Sequence, residues 1–265
     1  MGKVLAVSAR KGGVGKTTTS VSLGASLARQ GKKVLIIDAD SQHSATVSLG
    51  VTEPDKLPYT LSTVMQHIIN EQEVDPLQGI ISHTEGISLL PSNNSLAGME
   101  IALAPIIGRE TILRQYIEIV RSHYDYILLD TAPTLDLLAV NSLAAADSVI
   151  IPVAPKFLDA KGLELLLKSI AQIRRHINPH LAIGGILLTM VDRRANITKG
   201  IITMIEQAYG ESVNIFKAPI PQSVRVVETS ATGKSIFEHD PNGKVAAAYV
   251  SLAQELLAEG VREIA

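Results

Sequence analysis

A glycine-rich loop with two lysines follows a short apolar run near the start of the chain. Backbone N–H groups of such a loop, together with the open end of the next helix, bind phosphate oxygens, and glycines keep side chains out of their way. The order of apolar strand, glycine-rich loop and helix is the context that a phosphate-binding loop requires. The sequence therefore predicts a polyphosphate site formed by Lys11, Gly12, Gly13, Val14, Gly15, Lys16, Thr17 and Thr18.

The last residues of this loop have separate predicted roles. We expect Lys16 to lie along the β- and γ-phosphates, the Thr17 hydroxyl to ligate Mg²⁺, and the Thr18 N–H to contact the α-phosphate. The usual pattern G-x-x-x-x-G-K-[ST] would place its first glycine at Arg10, so the loop departs from that pattern and carries Lys11 in addition. Because Lys16 already serves the β- and γ-phosphates, Lys11 has no evident task within one subunit.

The loop resembles the deviant Walker A motif, K-G-G-x-G-K-[ST], of the ParA/MinD family of ATPases. The resemblance runs from about Lys3 to Leu257. In that family the first lysine reaches across a dimer interface to the nucleotide of the partner. The resemblance therefore implies an ATPase with ATP and Mg²⁺ as cofactors, a homodimer in the ATP-bound state, and catalytic roles for Lys11 and Lys16.

Three carboxylates follow apolar runs that have the character of strands. Asp38 and Asp40 end the run Val34–Ile37, and Asp130 ends the run Tyr126–Leu129. In a parallel sheet the carboxyl ends of the strands face the ligand crevice. At a phosphoryl-transfer site such carboxylates hold Mg²⁺, usually through its waters, or orient the attacking water. For Asp38 alone, a helix cap is the alternative.

The family resemblance assigns these carboxylates different roles. The segment that begins at Asp38 resembles switch I, whose second aspartate is needed for hydrolysis, so Asp40 is assigned to positioning or activating water. Asp38 is assigned to the waters around Mg²⁺, and Asp130 resembles the Walker B aspartate. Many relatives have Gly-Asn where this chain has His43-Ser44. The implied metal site comprises Thr17, Asp38, Asp40 and Asp130.

Two segments of the C-terminal half resemble family segments that contact adenine and DNA. Pro219 and Pro221 lie in a loop that packs on the base, and this implies adenine binding. The segment Leu188–Asn196 resembles one that holds a DNA-binding arginine, here Arg194, and Arg225 matches a second. The alternative is that these arginines are ordinary solvated charges. Lysines that would enlarge the patch are Lys199, Lys234 and Lys244.

The resemblance is strongest to the short ParA/Soj branch of the family. It implies a DNA-segregation ATPase whose ATP dimer binds double-stranded DNA without sequence preference. A ParB-like partner would stimulate hydrolysis and release the DNA. We expect one ATPase domain over residues 1–265, with no separate N-terminal DNA-binding domain.

Apolar runs alternate with helical patterns along the chain, which predicts an α/β fold with a mostly parallel sheet covered by helices on both faces, as in P-loop NTPases. The predicted strands are Val4–Ser8, Val34–Ile37, Ile87–Leu90, Tyr126–Leu129, Ser148–Val153, Gly185–Val191 and a short one near Val213–Phe216. The predicted helices are Thr17–Gln30, Lys161–Ile177 and Ala246–Leu257. The segment Thr52–Pro76 is expected to form loops and short helices.

Composition restricts the remaining possibilities. The chain has no cysteine, which excludes cysteine-ligated zinc sites and iron–sulfur clusters. With 24 basic against 26 acidic side chains, nucleic-acid binding would need a local basic patch. The sequence shows no signal peptide and no apolar run of the ~20 residues that span a membrane. We expect a cytoplasmic, nucleoid-associated protein.

Two alternatives have their own sequence signatures. A membrane-positioning ATPase of the MinD type would need a basic amphipathic C-terminal helix, whereas the tail Ala253–Glu263 has three glutamates and one arginine. An ATP-dependent ligase related to dethiobiotin synthetase would have a similar loop. That enzyme would place a small-molecule pocket at its dimer interface and would not need Lys11.

Overall fold

A seven-stranded sheet forms the centre of the structure, a computed structural model in which residues 2–192 and 194–262 are described. The spatial order of the strands is β3-β4-β2-β5-β1-β6-β7, and neighbouring strands are parallel apart from the antiparallel pair β3 and β4. The strands are β1 (Lys3–Val7), β2 (Val34–Ala39), β3 (Ile81–Ser82), β4 (Ile87–Leu90), β5 (Tyr126–Thr131), β6 (Ser148–Val153) and β7 (Ala182–Leu188).

Helices cover both faces of this sheet and complete the predicted α/β fold. They are α1 (Lys16–Arg29), α2 (Ser44–Ser48), α3 (Leu61–Ile69), α4 (Ser95–Leu103), α5 (Ile112–Val120), α6 (Leu137–Ala145), α7 (Phe157–His176), α8 (Asn196–Tyr209), α9 (Arg225–Thr232), α10 (Ile236–His239) and α11 (Lys244–Arg262). Short 3₁₀ turns lie at Pro54–Lys56, Arg109–Thr111 and Arg121–His123. Within the described residues, no helix is both long and apolar enough to cross a membrane.

The core consists of two apolar layers, one on each face of the sheet. Along β2, Val34 and Ile36 contribute to the layer under α1 and α11, whereas Leu35 and Ile37 contribute to the opposite layer. All six residues of β2 are buried. A strand that is buried on both faces has to be apolar throughout, which is why the central strands appear as continuous apolar runs in the sequence.

Strands β1, β2 and β5 differ from the predicted strands by one or two residues at their ends, and two other predictions differ more. The predicted strand Gly185–Val191 is displaced toward the N-terminus as β7, which ends at Leu188; Met190, with φ of 52°, is not in an extended conformation. The predicted strand Val213–Phe216 is wrong, since this segment makes only an isolated bridge between Ile186 and Ile215. Strand β3, with two residues, was too short to be recognised from its sequence.

The three predicted helices are present; α1 is displaced by one residue from the predicted Thr17–Gln30, and the other two begin earlier than predicted. The helix predicted from Lys161 begins at Phe157, and the helix predicted from Ala246 begins at Lys244. The predicted irregular segment 52–76 contains one 3₁₀ turn and α3. Of the residues named from the sequence, Glu263 lies outside the described part of the chain.

Candidate functional site

The strand order places the predicted phosphate loop and the three aspartates at one edge of the sheet. Strand β5 lies between β1, which leads into the loop, and β2, which ends in the aspartate-rich segment. Asp38 of β2 and Asp130 of β5 are direct neighbours across the strands. The structure therefore brings the loop and its predicted carboxylate partners together at the carboxyl ends of the central strands.

The glycine loop has the backbone that a phosphate cradle needs. Gly13 and Gly15 have φ angles of 74° and 84°, in the left-handed region that favours glycine. A Cβ atom on Gly12 or Gly13 would meet no atom within 4 Å, so these glycines face open space and are not required by packing. The N-terminus of α1 has no side-chain cap, which leaves its first N–H groups directed at the same space.

This space is a cavity of about 590 Å³. Its lining includes six residues of the loop and the first turn of α1, together with Asp40 from the segment after β2. The loop residues are Gly12, Gly13, Gly15, Lys16 and Thr17, followed by Thr18. Val14 is buried instead and packs with Ala9 and Ala154 beneath the loop. The cavity therefore has the donors, the lysine and the volume for a nucleotide polyphosphate.

Asp130 is fixed by hydroxyl groups on α1. Thr17 Oγ1 donates to Asp130 Oδ2 at 2.8 Å, and Ser20 Oγ donates to Asp130 Oδ1 at 2.7 Å. Because the Thr17 proton is directed at Asp130, the lone pairs of the hydroxyl are available to a cation. Among the described residues, no group of three or more acidic or histidine side chains could hold a metal alone. The arrangement fits a Mg²⁺ shared between Thr17, carboxylate-bound waters and phosphate.

Asp38 and Asp40 make different contacts although they are two residues apart. Asp38 Oδ2 accepts hydrogen bonds of 2.7 Å from both the N–H and the hydroxyl of Thr46, in α2, and Asp38 Oδ1 accepts from Asp40 N. Asp40 Oδ1 accepts from Gln42 N in the same segment, at 2.9 Å, and Asp40 lines the cavity. Asp38 thus anchors the turn into α2, and Asp40 is the aspartate that lines the cavity.

Burial controls the electrostatics of this cluster. Burial raises the pKa of Asp38, and the nearby Asp130 charge raises it further. Burial also raises the pKa of Asp130. Hydrogen bonds from Ser20 and Thr17 and the charge of Lys16 lower it, but they do not offset the effect of burial. Burial lowers the pKa of Lys16, and the negative charges of Asp130 and Asp40 offset part of that decrease. A buried lysine flanked by two carboxylates provides positive charge at the place where phosphates would bind.

Lys11 lies outside this cluster and pairs with Asp159, near the start of α7. Its Nζ atom is 2.5 Å from Asp159 Oδ1, and the lysine side chain is 42% exposed. The Asp159 carboxylate is almost fully buried, and its Oδ1 has no hydrogen bond in the described chain apart from this ion pair. Lys11, the first lysine of the loop, is thus directed away from the cavity lining and stays partly accessible to solvent.

A smaller apolar slot of about 180 Å³ adjoins the cavity and shares Gly15, Thr18 and Met190 with it. Pro221 lines this slot, whereas Pro219 is half-buried and does not contribute to its lining. Met190 has a left-handed backbone, with φ of 52°, which is unusual for a side chain of this size. An apolar slot next to a phosphate cradle is suited to a nucleotide base.

The two predicted DNA-binding arginines follow two segments that lie side by side. A parallel bridge joins Val191 to Pro221, and Gln222 N donates to Val191 O at 3.3 Å. Arg194 follows the first segment and Arg225 follows the second, and both are exposed. Lys199, Lys234 and Lys244 are also exposed, and Lys234 in addition lines the nucleotide cavity. Arg193, beside Arg194, lies outside the described residues.

The sequence did not reveal several contributors to the site. Ser20 could have been noticed, since it lies one helical turn after Lys16 and shares its helix face. Asp159 had no local signal, because its partner Lys11 is distant in the sequence. Thr46 lies only eight positions after its partner Asp38, but no motif marks it as the residue that binds that carboxylate. Further cavity residues that the sequence did not single out are Val21, Ser22, Gln42, Val47, Ser48, Pro133, Met190, Thr229, Ser235 and Ile236.

Comparisons with known proteins agree with this geometry. A family model described as an AAA domain matches residues 2–183. The sporulation initiation inhibitor protein Soj of Bacillus subtilis is 40% identical over 262 residues, which cover 98% of this chain and 100% of that protein. The chain belongs to the ParA/Soj family. A second member, the chromosome partitioning protein ParA of Caulobacter vibrioides, is 35% identical over 257 residues, covering 96% of this chain and 94% of that protein.

Solved structures extend the comparison to cofactors. A Mycobacterium smegmatis structure named cobyrinic acid a,c-diamide synthase, with bound ATP analogue and magnesium, has a TM-score of 0.84 at 33% identity, covering 97% of this chain and 95% of that one. The septum site-determining protein MinD of Pyrococcus horikoshii has a TM-score of 0.75 at 23% identity and shares the fold. The predicted fold class is confirmed. The predicted cofactors of this ParA/Soj family member, ATP and Mg²⁺, are also confirmed, because related structures contain bound adenine nucleotide and magnesium.

Proposed function

We propose that the protein is a DNA-segregation ATPase that couples ATP binding and hydrolysis to reversible, sequence-independent binding of double-stranded DNA. The observation that carries the proposal is the cavity in which the deviant phosphate loop meets Asp40 and the Thr17–Asp130 pair. Similarity to Soj and ParA proteins over nearly the whole chain supports the biological role. We infer one ATPase domain, acting as a dimer when ATP is bound.

In this proposal each part of the cavity has a separate task in nucleotide binding. The loop N–H groups and the N-terminus of α1 bind the phosphate oxygens, and Lys16 neutralises charge on the β- and γ-phosphates. Bound Mg²⁺ would further neutralise these phosphates, held by Thr17 and by waters on the carboxylates. The slot beside Pro221 takes the adenine ring. Pro219 supports that loop from outside the slot.

Hydrolysis requires a water molecule that attacks the γ-phosphorus while the bond to the bridging oxygen of ADP breaks. We assign Asp40 to orienting that water, because its carboxylate lines the cavity and accepts a hydrogen bond from the local Gln42 N–H. Asp38, by contrast, has its oxygens engaged by Thr46 and Asp40. We assign Asp38 to holding α2 and, through bound waters, to the surroundings of the metal ion.

Lys11 is proposed to act on the nucleotide of a second subunit. Within its own subunit it is paired with Asp159 and directed away from the cavity lining, yet its side chain is partly exposed. The buried Asp159 carboxylate and a phosphate of another subunit would compete for the Lys11 ammonium. The proposed dimer therefore requires the Lys11–Asp159 pair to open, so that ATP becomes part of the interface.

Substitution of Lys11 by alanine should leave ATP affinity within about threefold of the original and prevent the ATP-dependent dimer, because Lys16 alone serves the phosphates in cis. Isothermal calorimetry measures the affinity, and sedimentation with a non-hydrolysable ATP analogue measures the dimer. Turnover in the presence of duplex DNA and a ParB-like protein should lose its stimulation. Lys56→Ala, which removes an exposed lysine paired with Glu53, is the control. A Lys11→Ala protein with a normal dimer and normal stimulation would contradict the role in trans.

DNA binding is assigned to Arg194 and Arg225, which are exposed and follow two segments that lie side by side. Dimerisation would double this patch and thereby link DNA affinity to ATP. Contacts to phosphates release counterions, so the affinity should fall steeply with salt concentration. Hydrolysis, stimulated by a ParB-like partner, would return the protein to single subunits and release the DNA.

Membrane attachment through the C-terminus is disfavoured by the packing of α11. Its residues Leu252, Ala253 and Leu256 are buried in the core layer shared with α1. An amphipathic membrane anchor needs its apolar face available to lipid. The proposed role therefore includes no membrane partner, and we expect a cytoplasmic location on the nucleoid.

A ligase acting on a small molecule is the second candidate, because the similar M. smegmatis structure is named cobyrinic acid a,c-diamide synthase. The two functions differ in what raises ATP turnover. Duplex DNA together with a partner protein should raise it for a segregation ATPase. A carboxylate-bearing small molecule that raises turnover, with no response to DNA, would favour the ligase.

A further inference from the structure

The guanidinium of Arg225 already has an anionic neighbour. Arg225 Nη1 is 3.1 Å from Glu228 Oε2, three residues later in α9. The same carboxylate oxygen is 2.7 Å from His239 Nε2, at the end of α10. Glu228 therefore lies between an arginine and a histidine that belong to different helices.

The Glu228 carboxylate is held in its ionised form by these neighbours. Hydrogen bonds from His239 and then from Arg225 lower the pKa of Glu228, so it carries its charge at neutral pH. Arg225 itself is the first residue of α9, and the positive end of a helix is an unfavourable position for a cation. A nearby carboxylate offsets that cost.

A carboxylate and a DNA phosphate both bind to the N–H groups of a guanidinium. A phosphate that approaches Arg225 must displace Glu228 or share the guanidinium with it. The Arg225 side chain is 59% exposed, so a phosphate can reach it. His239 contacts Glu228 independently of Arg225 and provides a second partner for the carboxylate.

We infer that Glu228 is a positioning residue that competes with DNA phosphate for Arg225, and that His239 retains the carboxylate when Arg225 turns to DNA. This inference rests on the proposed function, since it assumes that Arg225 binds DNA. Glu228 thereby weakens DNA binding and helps to keep it dependent on the doubled patch of the dimer.

A neighbouring ion pair provides a matched control. Glu238, in α10, lies 2.9 Å from Lys234, and its side chain is 43% exposed, against 45% for Glu228. Glu238→Gln removes the same charge from the same region of the surface without altering an Arg225 contact. Comparison of the two glutamine variants therefore separates competition for Arg225 from a general change of net charge.

The experiment measures binding to a random-sequence duplex with a non-hydrolysable ATP analogue, for Glu228→Gln and Glu238→Gln, each alone and combined with Arg225→Gln. Glu228→Gln should bind about threefold to tenfold more tightly, as expected for the loss of an exposed competing charge in each subunit of a dimer. Glu238→Gln should stay within about twofold. In the Arg225→Gln background Glu228→Gln should have no further effect, since the competition acts through Arg225.

Two results would overturn the inference while leaving the proposed function intact. One is equal binding by Glu228→Gln and Glu238→Gln; the other is an undiminished gain in the Arg225→Gln background. If Glu228→Gln fails to fold, Glu228→Asp, which keeps the charge but shortens the side chain, should show a smaller gain in affinity. A lack of DNA binding by the unaltered protein in every nucleotide state would instead contradict the proposed function, and the inference with it.

Discussion

Replacement of Lys16 by alanine is expected to weaken ATP binding by at least about 100-fold, since charge-assisted hydrogen bonds to two phosphates contribute roughly 3 kcal/mol. Lys16 is nearly fully buried beside Asp130 and lines the cavity. No other lysine of the loop is directed at the cavity lining in the described chain, so its loss is not compensated. Isothermal calorimetry with ATP and Mg²⁺ checks the affinity.

A second readout uses thermal unfolding. A ligand that binds the folded state at 100 times its Kd stabilises that state by about 2.7 kcal/mol. The unaltered protein should therefore unfold at a higher temperature with ATP, whereas the Lys16→Ala protein should show no such rise. Lys11→Ala is the matched control, since it removes the other lysine of the same loop and should keep the rise. An ATP-dependent rise that survives Lys16→Ala would show that the nucleotide binds elsewhere.

Replacement of Asp40 by alanine should leave ATP bound and reduce its hydrolysis by about 100-fold or more, which is the usual loss when a group that positions or activates water is removed. Asp40 lines the cavity, and within the described part of the chain its carboxylate accepts a hydrogen bond only from the local Gln42 N–H. Its removal should therefore disturb the fold little. The expected product is a protein that stays in the ATP-bound, dimeric state, measured by phosphate release and sedimentation.

Asp38→Ala is the contrasting variant for this prediction. It removes the acceptor for the N–H and hydroxyl of Thr46, and leaving such buried groups unpaired costs about 1–3 kcal/mol each. A large drop in unfolding temperature is expected for Asp38→Ala and only a small one for Asp40→Ala. Normal turnover by the Asp40→Ala protein would remove Asp40 from the hydrolytic step.

Local sequence predicted those parts of the site that depend on neighbouring residues. The loop from Lys11 to Thr18 is one continuous segment, so the spacing of its glycines, lysines and threonines is visible directly in the sequence. Asp38 and Asp130 each end an apolar run that is buried on both faces, and such runs are strands of a parallel sheet. Parallel pairing then places both carboxylates at the same edge, as β2 and β5 show.

Contacts between distant segments could not be predicted in this way. The partner of Lys11 is Asp159, which lies 148 positions later and has no motif around it. Lys234, which the sequence suggested only as an exposed lysine, also lines the nucleotide cavity. The predicted strand near Val213 has residue types typical of strands, yet it makes only one isolated bridge, between Ile215 and Ile186, in the described chain. The roles of Asp38 and Asp40 at the metal, and of Arg194 and Arg225 on DNA, stay predictions.

The central claim is that ATP controls binding to DNA. The most direct test measures the affinity of the unaltered protein for a random-sequence duplex with ATP, with ADP and without nucleotide, at two salt concentrations. We predict tight binding with ATP alone, a steep loss of affinity at the higher salt concentration, and much weaker binding by Arg225→Glu. Equal binding in all three nucleotide states, or no binding in any of them, would contradict the account.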